Sequence, residues 1–164
     1  MKTRTLKQLL VFLLSAVLLV SLCGCNLSEM QQNNDYVSSV KNLVNDCINQ
    51  NRVLKTQDET FNCHEPEKAK EYISTMDSLS TAFQKLQQLQ PTGEFADYQA
   101  KIAESGASAL SSITRIRTLV AYAAEHEDDT LYQNDKEELF SEYNASCEAL
   151  RSLSSEVQTY WRNA

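Results

Sequence analysis

Helix breakers are nearly missing from this chain: three glycines and two prolines stand in 164 residues. So few residues that turn a backbone sharply or lack an amide hydrogen favour long continuous helices over a fold rich in loops or strands. The apolar residues agree, because from Asp35 onward they recur three or four positions apart rather than alternating. Tyr36, Val40, Leu43, Cys47 and Leu54 share one face of a first helix that runs to about Asp58.

The few breakers mark the connections. "FNCHEPEKAK" interrupts the first stripe, and Pro66 suits the first turn of a second helix, where proline's fixed φ and missing N–H do no harm. Ala69, Tyr72, Met76, Leu79, Phe83 and Leu86 form the second stripe, which Pro91 and Gly93 stop in "QPTGE". A third helix starts near Glu94 with Phe95, Ile102, Ala109, Ile113, Ile116 and Val120 on one face, and it fades at "EHEDD". Thr130-x-x-Gln133 has the form of a capping box, opening a fourth helix with Leu139, Tyr143, Leu150, Leu153 and Val157 inward. Four such helices, each about 40 Å long at 1.5 Å per residue and joined by short connections, predict an all-α, up-down-up-down antiparallel four-helix bundle.

Before the bundle comes an N-terminal signal helix. Lys2, Arg4 and Lys7 precede an almost unbroken apolar run from Leu9 to Leu22, the order of features of a secretory signal. The run is short for a spanning helix, which needs about 20 apolar residues. At its end, Leu22-Cys23-Gly24-Cys25 resembles the bacterial lipobox: an aliphatic residue, a variable one, a small one, then the invariant cysteine. Cys23 at the variable position departs from the usual small or aliphatic choice. The resemblance covers the first 25 residues and names no family for the rest.

What the resemblance implies is a lipoprotein. Cys25 is then the lipidation site, alkylated with diacylglycerol through its sulfur, and the bond before it is cut. Residues 1–24 become the signal peptide, 25–34 a polar lipidated tether, and 35–164 the bundle domain. Ser28-x-x-Gln31 offers a second start for the first helix, as a capping box within that tether. The partner so implied is a membrane, reached through acyl chains such as palmitate, and the location is the extracytoplasmic side of the cell membrane. No cofactor is expected beyond the covalent lipid on Cys25.

Loss of residues 1–24 removes three basic side chains and no acidic ones, leaving 12 Lys+Arg against 22 Asp+Glu, a net charge of −10. A surface of that sign is repelled by phosphate backbones and anionic headgroups, so nucleic acid is not an expected partner.

Four constellations stand out. Cys63 and His64 in the first connection, with His126 and Asp128 in the third, meet at the membrane-distal tip and form a candidate metal set; the alternative is a solvated acidic cap. Cys47 and Cys147 fall on neighbouring helices at heights differing by only about 6 Å, either as a disulfide or as two buried thiols. Cys63 is then left as a free thiol or an intermolecular linker. Ser105, Gly106, Ala107 and Ser108 make an uncharged, small-residue stretch, either the most buried helix or a docking face for a protein partner or a second copy, with Arg115 and Arg117 nearby to hold an acidic ligand. Tyr160 and Trp161 close the chain at the proximal end, where they plug the core or rest on headgroups.

No nucleophile elbow, zinc-protease helix, phosphate loop or haem motif occurs. The expected function is a non-catalytic interaction or structural module held at the cell envelope. The alternative is a small-ligand or metal-binding lipoprotein that uses the tip.

Overall fold

The computed structural model describes residues 27–164 in full, and the lipobox cysteines lie outside them. Its helices are α1 (Lys2–Glu59), α2 (Pro66–Gln88), α3 (Ala96–His126) and α4 (Thr130–Asn163), with one 3-10 turn at Gly93–Phe95. Each helix packs on the next in sequence, and α4 closes back onto α1. With connections this short, consecutive helices run antiparallel. The architecture is the all-α up-down-up-down bundle that the spacing predicts.

The stripes become the core. Val40, Leu54, Met76, Leu79, Phe83, Leu86, Ile102, Ile113, Ile116, Val120, Tyr143 and Val157 are all buried. Burial of each such side chain contributes about 1.5–3 kcal/mol, so the inward faces dominate the fold's stability. On α1 the inward row is Val37, Val40, Val44 and Cys47, with Leu43 only half-buried at its edge.

The helix ends show how the chain turns. Pro66 occupies the first turn of α2, as expected. α3 ends at Glu127, which takes the left-handed conformation with φ 52° and returns its N–H to the Ala123 carbonyl. At the start of α4 the expected capping box does not form. Asp128 does the work instead, its carboxylate accepting from the Thr130 N–H at 3.0 Å and the Thr130 hydroxyl at 2.6 Å. Ser28-x-x-Gln31 is not a cap either, since α1 runs through it without interruption.

The bundle also begins earlier than Asp35. Residues 27–34, expected as a tether, are helical, and Asn33 is buried, donating to Glu94 at 2.9 Å and accepting from Thr92. A buried amide must find partners, and here they tie α1 to the turn before α3. At this base Phe95, not Tyr160, plugs the core: its ring is fully buried against Tyr36 at 5.3 Å and Trp161 at 6.1 Å. Tyr160 is 39% exposed and donates to Glu94 at 2.9 Å, while the Trp161 indole N–H reaches Asn34 at 2.7 Å.

Candidate functional site

The tip does not gather a metal set. Cys63 is buried, whereas His64 is exposed and lies 3.7 Å from Glu127. His126 stacks on Tyr122 at 4.0 Å, with its Nδ1 3.0 Å from the Tyr122 carbonyl. Asp128 is engaged by Thr130, whose hydroxyl and N–H hold its carboxyl below the usual carboxylate range. Among the described residues no three His, Cys, Asp or Glu side chains converge on one point. The metal reading of Cys63, His64, His126 and Asp128 thus finds no convergent set: Cys63 is buried, Asp128 is held by Thr130, His126 lies on Tyr122 and His64 faces solvent.

Below the tip lies a polar chain that the sequence reading does not single out. The Tyr72 and Tyr132 hydroxyls meet at 3.0 Å, Tyr132 donates to Asp58, and Lys136 stands 3.8 Å from Asp58. Burial and the neighbouring hydroxyls and carboxylate push the Tyr132 phenol far above its ordinary value. Lys136 also lies over the Tyr132 ring at 5.5 Å. The signal available in the sequence is faint: Asp58 precedes one connection and Tyr132 follows the other.

The small-residue stretch of α3 turns inward at its centre. A Cβ on Gly106 would stand 3.5 Å from Gln87 Cγ and 3.6 Å from the Phe83 carbonyl oxygen. Gly106 therefore faces α2, Ser105 is half-buried, and only Ala107 and Ser108 are exposed. Arg117 is held by Asp77 of α2 at 2.5 and 3.3 Å, and Arg115 lies 3.8 Å from Glu142 of α4. Both arginines thus face a carboxylate of a neighbouring helix.

The seam between α1 and α4 is different. It is the least closely packed of the four, and three clefts follow one another along it. The upper one, about 400 Å³, is lined by Lys55, Asp58, Lys136, Phe140 and Asn144. A middle one, about 220 Å³, lies between Val44, Cys47 and Ile48 of α1 and Cys147, Leu150 and Arg151 of α4. The lower one, about 410 Å³, is bordered by Asn45, Asn49, Ser154 and Gln158. Arg52 lines all three, so they form one groove that runs past it. Arg52 and Lys55 are exposed and make no ion pair with any described residue.

The middle cleft holds the cysteine pair. Both are free thiols, and burial pushes Cys47 up to about 12 and Cys147 to about 11. The Cys147 thiol adds to the rise at Cys47, which places the two within electrostatic reach. The Tyr143 ring is fully buried beside them, and its hydroxyl has no hydrogen-bond partner of ordinary geometry among the described residues.

No protein-family model, curated protein or solved structure matches this chain. Among the described residues no helix is long and apolar enough to cross a membrane.

Proposed function

We propose that this protein is a membrane-anchored lipoprotein, a non-catalytic helical module that presents the α1/α4 groove to a protein partner on the extracytoplasmic side of the cell envelope. Cys25 carries the lipid, and α1 rises from that anchor into the bundle. A net charge of −10 on the chain from Cys25 onward keeps the bundle's surface away from anionic headgroups. The observation that supports the docking role is the groove, which runs along the α1/α4 seam and combines apolar Ile48 and Phe140 with the open cations Arg52 and Lys55. A partner segment suited to it offers apolar side chains to the floor and carboxylates to the rim.

Two measurements test this. Growth with an alkyne fatty acid labels the wild type, and Cys25→Ser loses both the label and membrane retention. A photo-crosslinking residue at Lys55 or Asn144, in the groove, captures a partner that the same residue at Lys85 or Lys101, on the α2/α3 side, does not. Equal capture from both sides, or none from the groove, overturns the docking role.

A further inference from the structure

Cys47 and Cys147 are contributed by two helices that meet at the loosest seam, and they line the same small cleft from opposite sides. Cys47 is buried at 4% exposure, whereas Cys147 is only half-buried and reachable from the groove. Cys63 lies at the tip and does not line this cleft. Two thiols lining one cleft from opposite sides, with one of them accessible to an oxidant, is the arrangement from which an intramolecular disulfide can form.

We infer that Cys47 and Cys147 are a disulfide site, oxidised in the exported protein by exchange with an organic disulfide of the envelope and stapling α1 to α4 at the middle of the groove. The inference rests on the export part of the reading above. The Cys147 thiol loses its proton to solvent and its sulfur attacks the donor disulfide. The donor S–S bond breaks, and one donor sulfur leaves and takes up a proton. Cys47, deprotonated in turn, attacks the Cys147 sulfur of the mixed disulfide and expels the second donor sulfur, which is also protonated. Two electrons and two protons pass from the cysteines to the donor, which ends as two thiols. Because burial disfavours both thiolates, the exchange belongs to an opened seam or to the chain before the bundle closes. The finished bond closes a loop of about 100 residues and restrains the unfolded chain accordingly.

The test uses the full-length chain, taken from membranes of an exporting host, acid-quenched, alkylated and digested without reduction. The expected result is a Cys47 peptide joined to a Cys147 peptide, with Cys63 alkylated. Reduction should lower the melting temperature by on the order of 10 °C, and Cys147→Ser should make it insensitive to reductant while Cys63→Ser does not. Acylated protein in which both thiols alkylate fully overturns the inference. If the same digest shows no acyl group on Cys25, the lipoprotein reading fails, and the purified full-length chain, unfolded and refolded in a glutathione buffer, decides alone. There an internal bridge supports the site, whereas a lasting glutathione adduct on Cys147, or unreacted thiols, overturns it.

Discussion

The α2/α3 and α1/α4 seams are built from the same kind of helix yet differ in how they close. Between α2 and α3, Phe83, Leu86, Ile102, Ala109 and Ile113 are fully buried, and Gly106 removes a side chain where the helices meet. The buried Gln99 amide completes this side, donating to the Leu86 carbonyl at 2.9 Å and accepting from Tyr36 at 3.0 Å. Between α1 and α4 the inner row is equally apolar, with Val40, Val44 and Val157 buried. The outer rows, however, are Asn45, Asn49, Arg52, Arg151 and Gln158. Hydrated side chains border a groove at that edge, whereas between α2 and α3 Arg117 and Asp77 bridge the rim and Gly106 lets the helices meet beneath it. Whether the rim residues pair across a seam therefore bears on which face of a bundle stays available to another molecule.

The largest expected difference is in packing energy. Phe83→Ala leaves a void in the closed seam and should cost about 3–5 kcal/mol, whereas Ile48→Ala, half-buried at the groove, should cost roughly 1–2 kcal/mol because the cleft is already open to water. Urea unfolding of the two variants measures both. Equal losses would mean the groove closes in solution.

Alkaline pH probes the same contrast from the other side. Ordinary cysteine and tyrosine values are 9.0 and 10.0, and burial raises Cys47 and Tyr36 to about 12 and Cys147 to about 11. Groups with raised values stay neutral in the folded protein while the unfolded chain ionises. The stability they carry is therefore whole below about pH 9 and is lost as pH climbs through 11 to 12. Each group steepens that loss by about 1.4 kcal/mol per pH unit. Reduced protein should unfold earlier in an alkaline titration than Cys47→Ala/Cys147→Ala, once each is compared with its own stability at pH 8. Identical pH profiles would show that the thiols are not buried at the seam.

A smaller effect belongs to the top of the groove. Tyr132→Phe removes the hydroxyl that joins Tyr72 to Asp58 and leaves two polar groups short of a partner, at about 1–3 kcal/mol. Asp58 also lines the upper cleft, so the variant should change capture by a crosslinker at Lys55 more than by one at Asn45.

Much of the fold was legible because one physical signal, period 3.6, carries it. Each stripe read from Tyr36 to Val157 maps onto a buried row, with Leu43 yielding to Val44 by a single position. Gln99 could have been found the same way, since it falls between Phe95 and Ile102 on the inward face. The site was not legible. Arg52 and Arg151 look like any solvated cations in the sequence, and only their approach across a loose seam makes a groove. The tip misled for the opposite reason: Cys63, His64, His126 and Asp128 are near one another by topology, but a loop's backbone claims its own polar side chains before any ion does. Asp128 caps α4 and His126 sits over the last turn of α3, neither of which composition reveals.

The smallest prediction tests whether the closed seam is closed by necessity. Glycine inside a helix is less favourable than alanine by about 0.8–1 kcal/mol. The nearest atoms to a new Cβ at Gly106, at 3.5 and 3.6 Å, are in ordinary van der Waals contact. Gly106→Ala should therefore stabilise the bundle by up to about 1 kcal/mol, while Gly106→Leu should destabilise it by about 1–3 kcal/mol by driving α2 and α3 apart. Urea midpoints for both variants give the sign. If alanine also destabilises, the helices approach more tightly than those distances allow, and the small-residue stretch of α3 is a packing device rather than a tolerated weakness. A gain with alanine assigns the closure to Phe83 and its aliphatic neighbours instead.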